Sequence, residues 1–282
     1  MKMSKVGFVG LGAMGSVMSP LLVKAGYQVF GYDIIANIDV SSGVKQLDTL
    51  DDFAQFDAVI FMLPNSKIVS QVVTKLLEIN TKSILIDMSS SDPRETKKLG
   101  KTIETKGLKF LDAPVSGGVS RAKTGDLMIM AGGKEQDLEE VKDLLSVMGT
   151  VQFAGPLGSG HAIKALNNYV SAAGLIASFE ALATARSFGI QPENFLKIIN
   201  GATGKNNTTE VKLDRFVVSE KFNSGFALDL MVKDVSIANS LIKDLTTKNP
   251  LSKSVSHYLL ASLEELGGNP DHTEVYKVLL KT

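Results

Sequence analysis

The sequence predicts an α/β chain: a doubly wound parallel sheet followed by an all-helical C-terminal domain. Three observations carry this prediction. Short apolar runs alternate with helical stretches through the first half, the pattern of parallel βαβ units. The β-branched runs largely stop near "GPLGSGHAIK" at residues 155–164. Beyond that point alanine and other strong helix formers dominate. The expected domains are residues 1–160 and 161–282.

Val6–Val9 reads as the first strand. Met14–Ala25 follows as a helix stopped by Gly26, and Tyr27–Tyr32 as the second strand. Ala58–Leu63, Ser83–Asp87, Lys109–Asp112 and Leu127–Ala131 read as further strands, with Lys67–Ile79 and Lys134–Met148 as helices. Asp92-Pro93-Arg94-Glu95 opens another helix. Asp92 is the cap, Pro93 suits the first helical position, and Glu95 is placed to close a capping box. His161–Phe188 predicts one long helix, roughly 40 Å at 1.5 Å per residue, closed by Gly189. Its stretch "YVSAAGLIASFEALATA" is apolar on most faces, so it is expected to be buried in its own domain or against a partner subunit. Pro192 opens the next helix.

Composition narrows the function. The 282 residues hold 30 Lys+Arg and 30 Asp+Glu. That balance argues against nucleic acid or an anionic membrane as partner. The chain has no cysteine, which removes disulfides, thiolate nucleophiles and Cys-ligated metals. His161, His257 and His272 have no metal-ligand spacing. No run reaches the roughly 18–20 apolar residues of a membrane span. The first apolar run is too short for a signal sequence, so a cytoplasmic location is expected.

Gly10-Leu11-Gly12-Ala13-Met14-Gly15 follows the first strand and opens a helix. Gly10 permits the tight turn. Gly12 lets a pyrophosphate approach the backbone, and Gly15 lets helix and strand pack. The helix N-terminus offers N–H groups and partial positive charge to phosphates. This context points to a Rossmann-type dinucleotide site rather than a bare turn. Asp33 ends the second strand. It is placed to accept hydrogen bonds from ribose hydroxyls and to repel a 2′-phosphate. No arginine follows in "YDIIAN", so NAD is expected over NADP.

Three more stretches hold chemistry-bearing residues. In "FLDAPVSGGVSRAKTGDL", Ser116, Gly117 and Gly118 offer a hydroxyl and open backbone N–H groups, which suits a small carboxylate. A plain βα turn explains them equally well. In "GSGHAIKALNN", Lys164 and Asn168 stand at i and i+4 and share a helix face. A lysine on so apolar a helix, near a domain boundary, suits proton transfer to a carbonyl or hydroxyl. His161, one turn earlier, reads as structural. In "SGFALDLMVKDVSIA", Lys233 and Asp234 read by local spacing as a solvated pair.

Four stretches together resemble the β-hydroxyacid dehydrogenases, the group of 3-hydroxyisobutyrate dehydrogenase and tartronate semialdehyde reductase. They are "GFVGLGAMG", "DAPVSGGVSRAKTGDL", "GPLGSGHAIKALNN" and "FALDLMVKDVSIA", in the family's order and over nearly the whole chain. The resemblance implies a Rossmann domain, a helical domain and an active site between them. It implies Lys164 as the catalytic lysine, Asn168 as its partner amide, and Ser116, Gly117 and Gly118 as the carboxylate loop. It also implies cofactor contacts from Leu63, Pro64, Ser90 and Lys233, which reverses the local reading of Lys233. Many members carry Asn-Arg after the second strand, a pair that suits NADP. Here Asp33-Ile34 stands instead.

The expected activity is reversible hydride transfer between NAD and the hydroxyl-bearing carbon of a small β-hydroxy acid. A semialdehyde reductase of the same family is one alternative. A non-catalytic nucleotide-binding regulator is another, and a related imine reductase is disfavoured by Lys164. A homodimer or homotetramer through the helical domain is expected. The segment "GATGKNNTTEVKLDRF" at 201–216 reads as polar and irregular. From it Asn206, Asn207 and Lys212 are candidates for a substrate's distal group, or simply solvated.

Overall fold

The computed structural model describes residues 3–35, 42–246 and 248–280; of the "YDIIAN" loop, Ala36 and Asn37 lie outside these. The chain divides into two compact units, residues 1–164 and 165–282.

In the first unit, β1 (Lys5–Val9) leads through the glycine turn into α1 (Gly15–Lys24) and then β2 (Gln28–Tyr32). β3 (Lys45–Gln46), a 3₁₀ turn at Leu50–Gln55, β4 (Ala58–Phe61), α2 (Ser66–Glu78) and β5 (Ile84–Asp87) follow. Next come α3 (Pro93–Thr105), β6 (Phe110–Asp112), β7 (Val115–Ser116), α4 (Gly118–Ala122), β8 (Leu127–Gly132), α5 (Glu135–Ser146) and β9 (Gly149–Gly155). They build one nine-stranded sheet in the order β3-β2-β1-β4-β5-β6-β8-β7, with β9 also on β8. Strands β1 to β6 pair in parallel, while β8 runs antiparallel to β6 and β7.

Period-two alternation sends successive side chains to opposite faces, and both faces are covered. In β4, Ala58 and Ile60 join one core with Phe8, Met18 and Ile86. Val59 and Phe61 join the other with Phe53, Val73 and Ile103. That burial on both sides is why the strand reads as a continuous apolar run.

Four elements depart from expectation. β3 and β7 are two residues each, too short to show alternation. β9 was not anticipated: its pattern mixes buried and exposed positions, and it is held by parallel pairing with β8. α4 is a helix of five residues beginning at Gly118, inside the stretch expected to be a glycine-rich loop. Asp92 caps α3 as expected, accepting from the Arg94 N–H, with Pro93 in the first turn. The capping box does not close: the Asp92 N–H already donates to Ser66 Oγ at 2.8 Å, and Glu95 pairs with Lys98.

α6 (Ser159–Ser187) is one helix of 29 residues. The second unit continues with α7 (Pro192–Asn200), a π-helix at Thr208–Val218, α8 (Leu228–Leu245), α9 (Pro250–Leu266), a 3₁₀ turn at His272–Glu274 and α10 (Val275–Leu279). Ala172, Leu175, Phe179 and Leu182 of α6 form its core with Leu213, Val217, Met231, Val235, Leu259 and Tyr276. The expectation of an irregular 201–216 segment holds for residues 201–206, which are turn and loop, and is corrected from Thr208 onward, where the π-helix begins. Asn206 Oδ1 accepts the Thr208 and Thr209 N–H groups and starts the helix, while Leu213 and Val217 anchor it. Its exposed charges had hidden that apolar side.

Candidate active site and cofactor-binding residues

The glycine turn leaves β1 beside β4, where the strand connectivity reverses, the usual place for a ligand in an open α/β sheet. Gly10 has φ 95°, and a Cβ there would lie 2.2 Å from the Met62 carbonyl oxygen. A Cβ at Gly15 would lie 2.0 Å from the Gly10 oxygen. Gly12 is different: nothing lies within 4 Å of its would-be Cβ, so its face is open to a ligand. α1 has Met14 at its N-cap, with no side-chain cap and no acid in its first turn. The Ser16 N–H already donates to the Gly12 carbonyl at 2.9 Å, so the turn ahead of Ser16 is where an anion would meet N–H groups and the helix dipole. Leu11 is buried, and Ala13 is exposed beside Gly12.

Asp33 comes to this turn. Its Oδ2 accepts the Leu11 N–H at 2.6 Å and its Oδ1 accepts the Ile35 N–H at 2.8 Å. These residues fit a dinucleotide: an open glycine face, an uncapped helix start and an acid at the rim. At the neighbouring strand ends, Leu63 is half-buried, Pro64 is exposed and Ser90 is half-buried. The Leu63 N–H donates to Ser89 Oγ at 2.9 Å, and the Ser89 N–H donates to Asp87 Oδ1. Ser89 and Asp87 thus fix the loop that holds Leu63 and Pro64. Sequence reasoning missed both; the run of three serines after Met88 was the available signal.

Ser116 ends β7 and is half-buried. Gly117 and Gly118 follow with φ 141° and 67°, conformations that favour glycine. The would-be Cβ of Gly118 meets nothing within 4 Å.

α6 is started by a side chain from the sheet. Buried Asp112, the last residue of β6, accepts the Gly158 N–H at 2.6 Å and the His161 N–H at 2.8 Å. His161 is buried, with Nδ1 2.8 Å from Thr96 Oγ1 and Nε2 3.7 Å from Asp87 Oδ2, and so packs as a structural residue. One turn later comes Lys164, half-buried, and one turn after that Asn168, buried. Asn168 Nδ2 donates to Asp234 Oδ2 at 2.6 Å. A carboxylate only accepts, so Asp234 dictates which way the amide points. Lys233 Nζ lies 3.7 Å from Asp234 Oδ1, and Asp234 is 2% exposed. The solvated-pair reading of Lys233 and Asp234 fails for Asp234, which is a buried support of Asn168. The spacing from Asn168 spans 66 residues, so local reasoning had no access to it.

The open glycine turn at the switch point of a doubly wound sheet marks a dinucleotide-binding protein. Comparison with known proteins narrows this. Residues 5–158 match the family described as the NAD binding domain of 6-phosphogluconate dehydrogenase. Residues 158–279 match that described as NAD-binding of NADP-dependent 3-hydroxyisobutyrate dehydrogenase. The chain is 33% identical to 2-(hydroxymethyl)glutarate dehydrogenase of Eubacterium barkeri, over 98% of this chain and 95% of that protein. It is 33% identical to mitochondrial 3-hydroxyisobutyrate dehydrogenase of Rattus norvegicus, over 97% and 86%. A solved Mycobacterium tuberculosis 3-hydroxyisobutyrate dehydrogenase with L-serine superposes with TM-score 0.92 at 29% identity, covering 99% of this chain and all of that one. The chain belongs to the β-hydroxyacid dehydrogenase family. It is an NAD-binding oxidoreductase that acts on the CH–OH group of small hydroxy acids. No helix among the described residues is long and apolar enough to cross a membrane.

Proposed function

We propose that the protein interconverts a small β-hydroxy acid and its semialdehyde, with Lys164 as general acid/base. The observation that carries this is Lys164 one helical turn from an Asn168 whose amide is fixed by buried Asp234. When bound, NAD supplies the acceptor for the hydride that leaves the hydroxyl-bearing carbon. Lys164 takes the hydroxyl proton in oxidation and returns it to the forming alkoxide in reduction. A free lysine, with a pKa near about 10.4, is a poor base at neutral pH, so contact with ligand or relay through water must assist. Asn168 holds the substrate oxygen or the Lys164 ammonium. Ser116, Gly117 and Gly118 hold the carboxylate.

Gly10, Leu11, Gly12, Ala13, Met14 and Gly15 cradle the pyrophosphate, and Asp33 takes the adenosine ribose. Leu63, Pro64, Ser90 and Lys233 flank the nicotinamide end. In this reading residues 1–160 bind the cofactor, and residues 161–282 shape the substrate pocket and the subunit contact. Exposed Ile163, Leu166 and Val170 recur on α6 and support a homodimer or homotetramer. A cytoplasmic location belongs to the same reading, and cell fractionation tests it.

The deciding experiment follows NADH spectrophotometrically with 3-hydroxyisobutyrate, 2-(hydroxymethyl)glutarate, L-serine and 4-hydroxybutyrate, and with the matching semialdehydes in reverse. Turnover of at least one pair by the wild type, abolished in Lys164→Ala, supports the reading. Near-normal turnover by Lys164→Ala with intact NAD binding sinks it.

A further inference from the structure

We propose that Lys212 and the Ser171 hydroxyl form an anion subsite that selects hydroxy acids carrying a second, distal carboxylate. The inference rests on the reading of Lys164 as the residue at the reacting hydroxyl.

Lys212 lies on the π-helix and is half-buried. Among the described residues no carboxylate comes within ion-pair distance of it. Its Nζ makes one hydrogen bond, donating to Ser171 Oγ at a long 3.4 Å. Two other lysines of this unit are paired, Lys205 with Glu210 at 2.8 Å and Lys277 with Glu274 at 2.7 Å. Asp271, the carboxylate whose charge reaches Lys212, is already occupied. Its oxygens accept from Ser224 Oγ and from the Gly225 N–H and Thr273 N–H, all within 2.9 Å. His272 beside it donates through Nδ1 to the Phe226 carbonyl and adds no negative charge. Burial lowers the Lys212 ammonium to about 8, so it remains mainly charged at neutral pH. A half-buried ammonium with two unused donors is costly until an anion meets it. A carboxylate bridging Nζ and the Ser171 hydroxyl supplies that anion.

The position of Ser171 gives the subsite its meaning. Lys164, Asn168 and Ser171 stand at i, i+4 and i+7, so they form one stripe of α6. Ser171 is about 10 Å along the helix from Lys164. An anion held there is therefore one short carbon arm from the hydroxyl at Lys164. A monoacid leaves Lys212 unmet.

Two substrates isolate the effect. 2-(Hydroxymethyl)glutarate is 3-hydroxyisobutyrate with its methyl extended by one CH₂–COO⁻ arm. The wild type is expected to favour the diacid in kcat/KM by about tenfold or more, a difference carried mainly in KM. Lys212→Met keeps the apolar stem and removes the charge. It is expected to lower the diacid-to-monoacid ratio by about tenfold, and Ser171→Ala by less. Calorimetric binding of glutarate, an unreactive probe, is expected to weaken in step in folded Lys212→Met. A wild type that does not prefer the diacid overturns the proposal, as does a ratio unchanged in both variants or glutarate binding indifferent to Lys212. If neither acid turns over, the choice of substrates above fails, while the glutarate measurement still decides the subsite.

Discussion

At the scale of single residues, Lys164 and Asp33 have separable duties. Lys164→Ala is expected to cut kcat by about a hundredfold or more, the usual worth of a positioned acid/base, with NAD affinity unchanged by fluorescence titration. Asp33→Asn is expected to move the ratio of kcat/KM for NAD over NADP toward NADP by about tenfold, because it removes the charge that repels a 2′-phosphate. An unchanged ratio would mean that another group selects the cofactor. The sequence exposed these residues because each breaks a local rule: glycines where a strand meets a helix, and a lysine in an apolar helix. Their supports stayed hidden. Asp112, Asp234 and Ser89 act across 46, 66 and 26 residues, and isolated acids and serines look the same whether buried or solvated.

At the scale of elements, α6 carries the testable surface. Val170 is 66% exposed and sits on the same face as Ile163 and Leu166. Val170→Glu is expected to convert the proposed oligomer to smaller species in light scattering, with the far-UV spectrum retained. An unchanged mass would remove this face from the subunit contact. Long elements with a clear period were legible: α6 and the doubly buried strands were read within a few residues, and the start of α3 from its cap. β9 and the π-helix were not. β9 has no strict alternation of its own and depends on β8. Leu213 and Val217 keep helical i, i+4 spacing, but they are the only apolar side chains that the π-helix buries, too few to show as a stripe in the sequence.

At the scale of the whole molecule, the buried polar cluster of the helical unit ties stability to pH. Burial, aided by the Lys212 charge and opposed by Asp271, brings the His272 imidazole down to about 4. In the unfolded chain it returns to about 6.5. Between these values the unfolded state binds more protons, so stability rises with pH across the window. The contribution is complete above about 6.5 and is lost as pH falls toward 4, about 3 kcal/mol in all. Urea unfolding from pH 4 to 7 should show a slope that His272→Gln flattens. An equal slope in the variant would assign the dependence to other groups.

The π-helix also bears on how this chain can diverge. In that winding each turn holds more residues than in an α-helix. Deleting one residue upstream of Lys212 would let the segment relax to α-helical winding. The side chains on either side of the deletion would then rotate relative to one another by about 100°. Leu213 and Val217 are pinned in the core, so the turn preceding them, with Lys212 at its end, would absorb the change. A single-codon deletion could thus move a charge from one face to another without substituting any side chain. Gene length in this segment, as much as its spelling, is a variable on which substrate choice can drift.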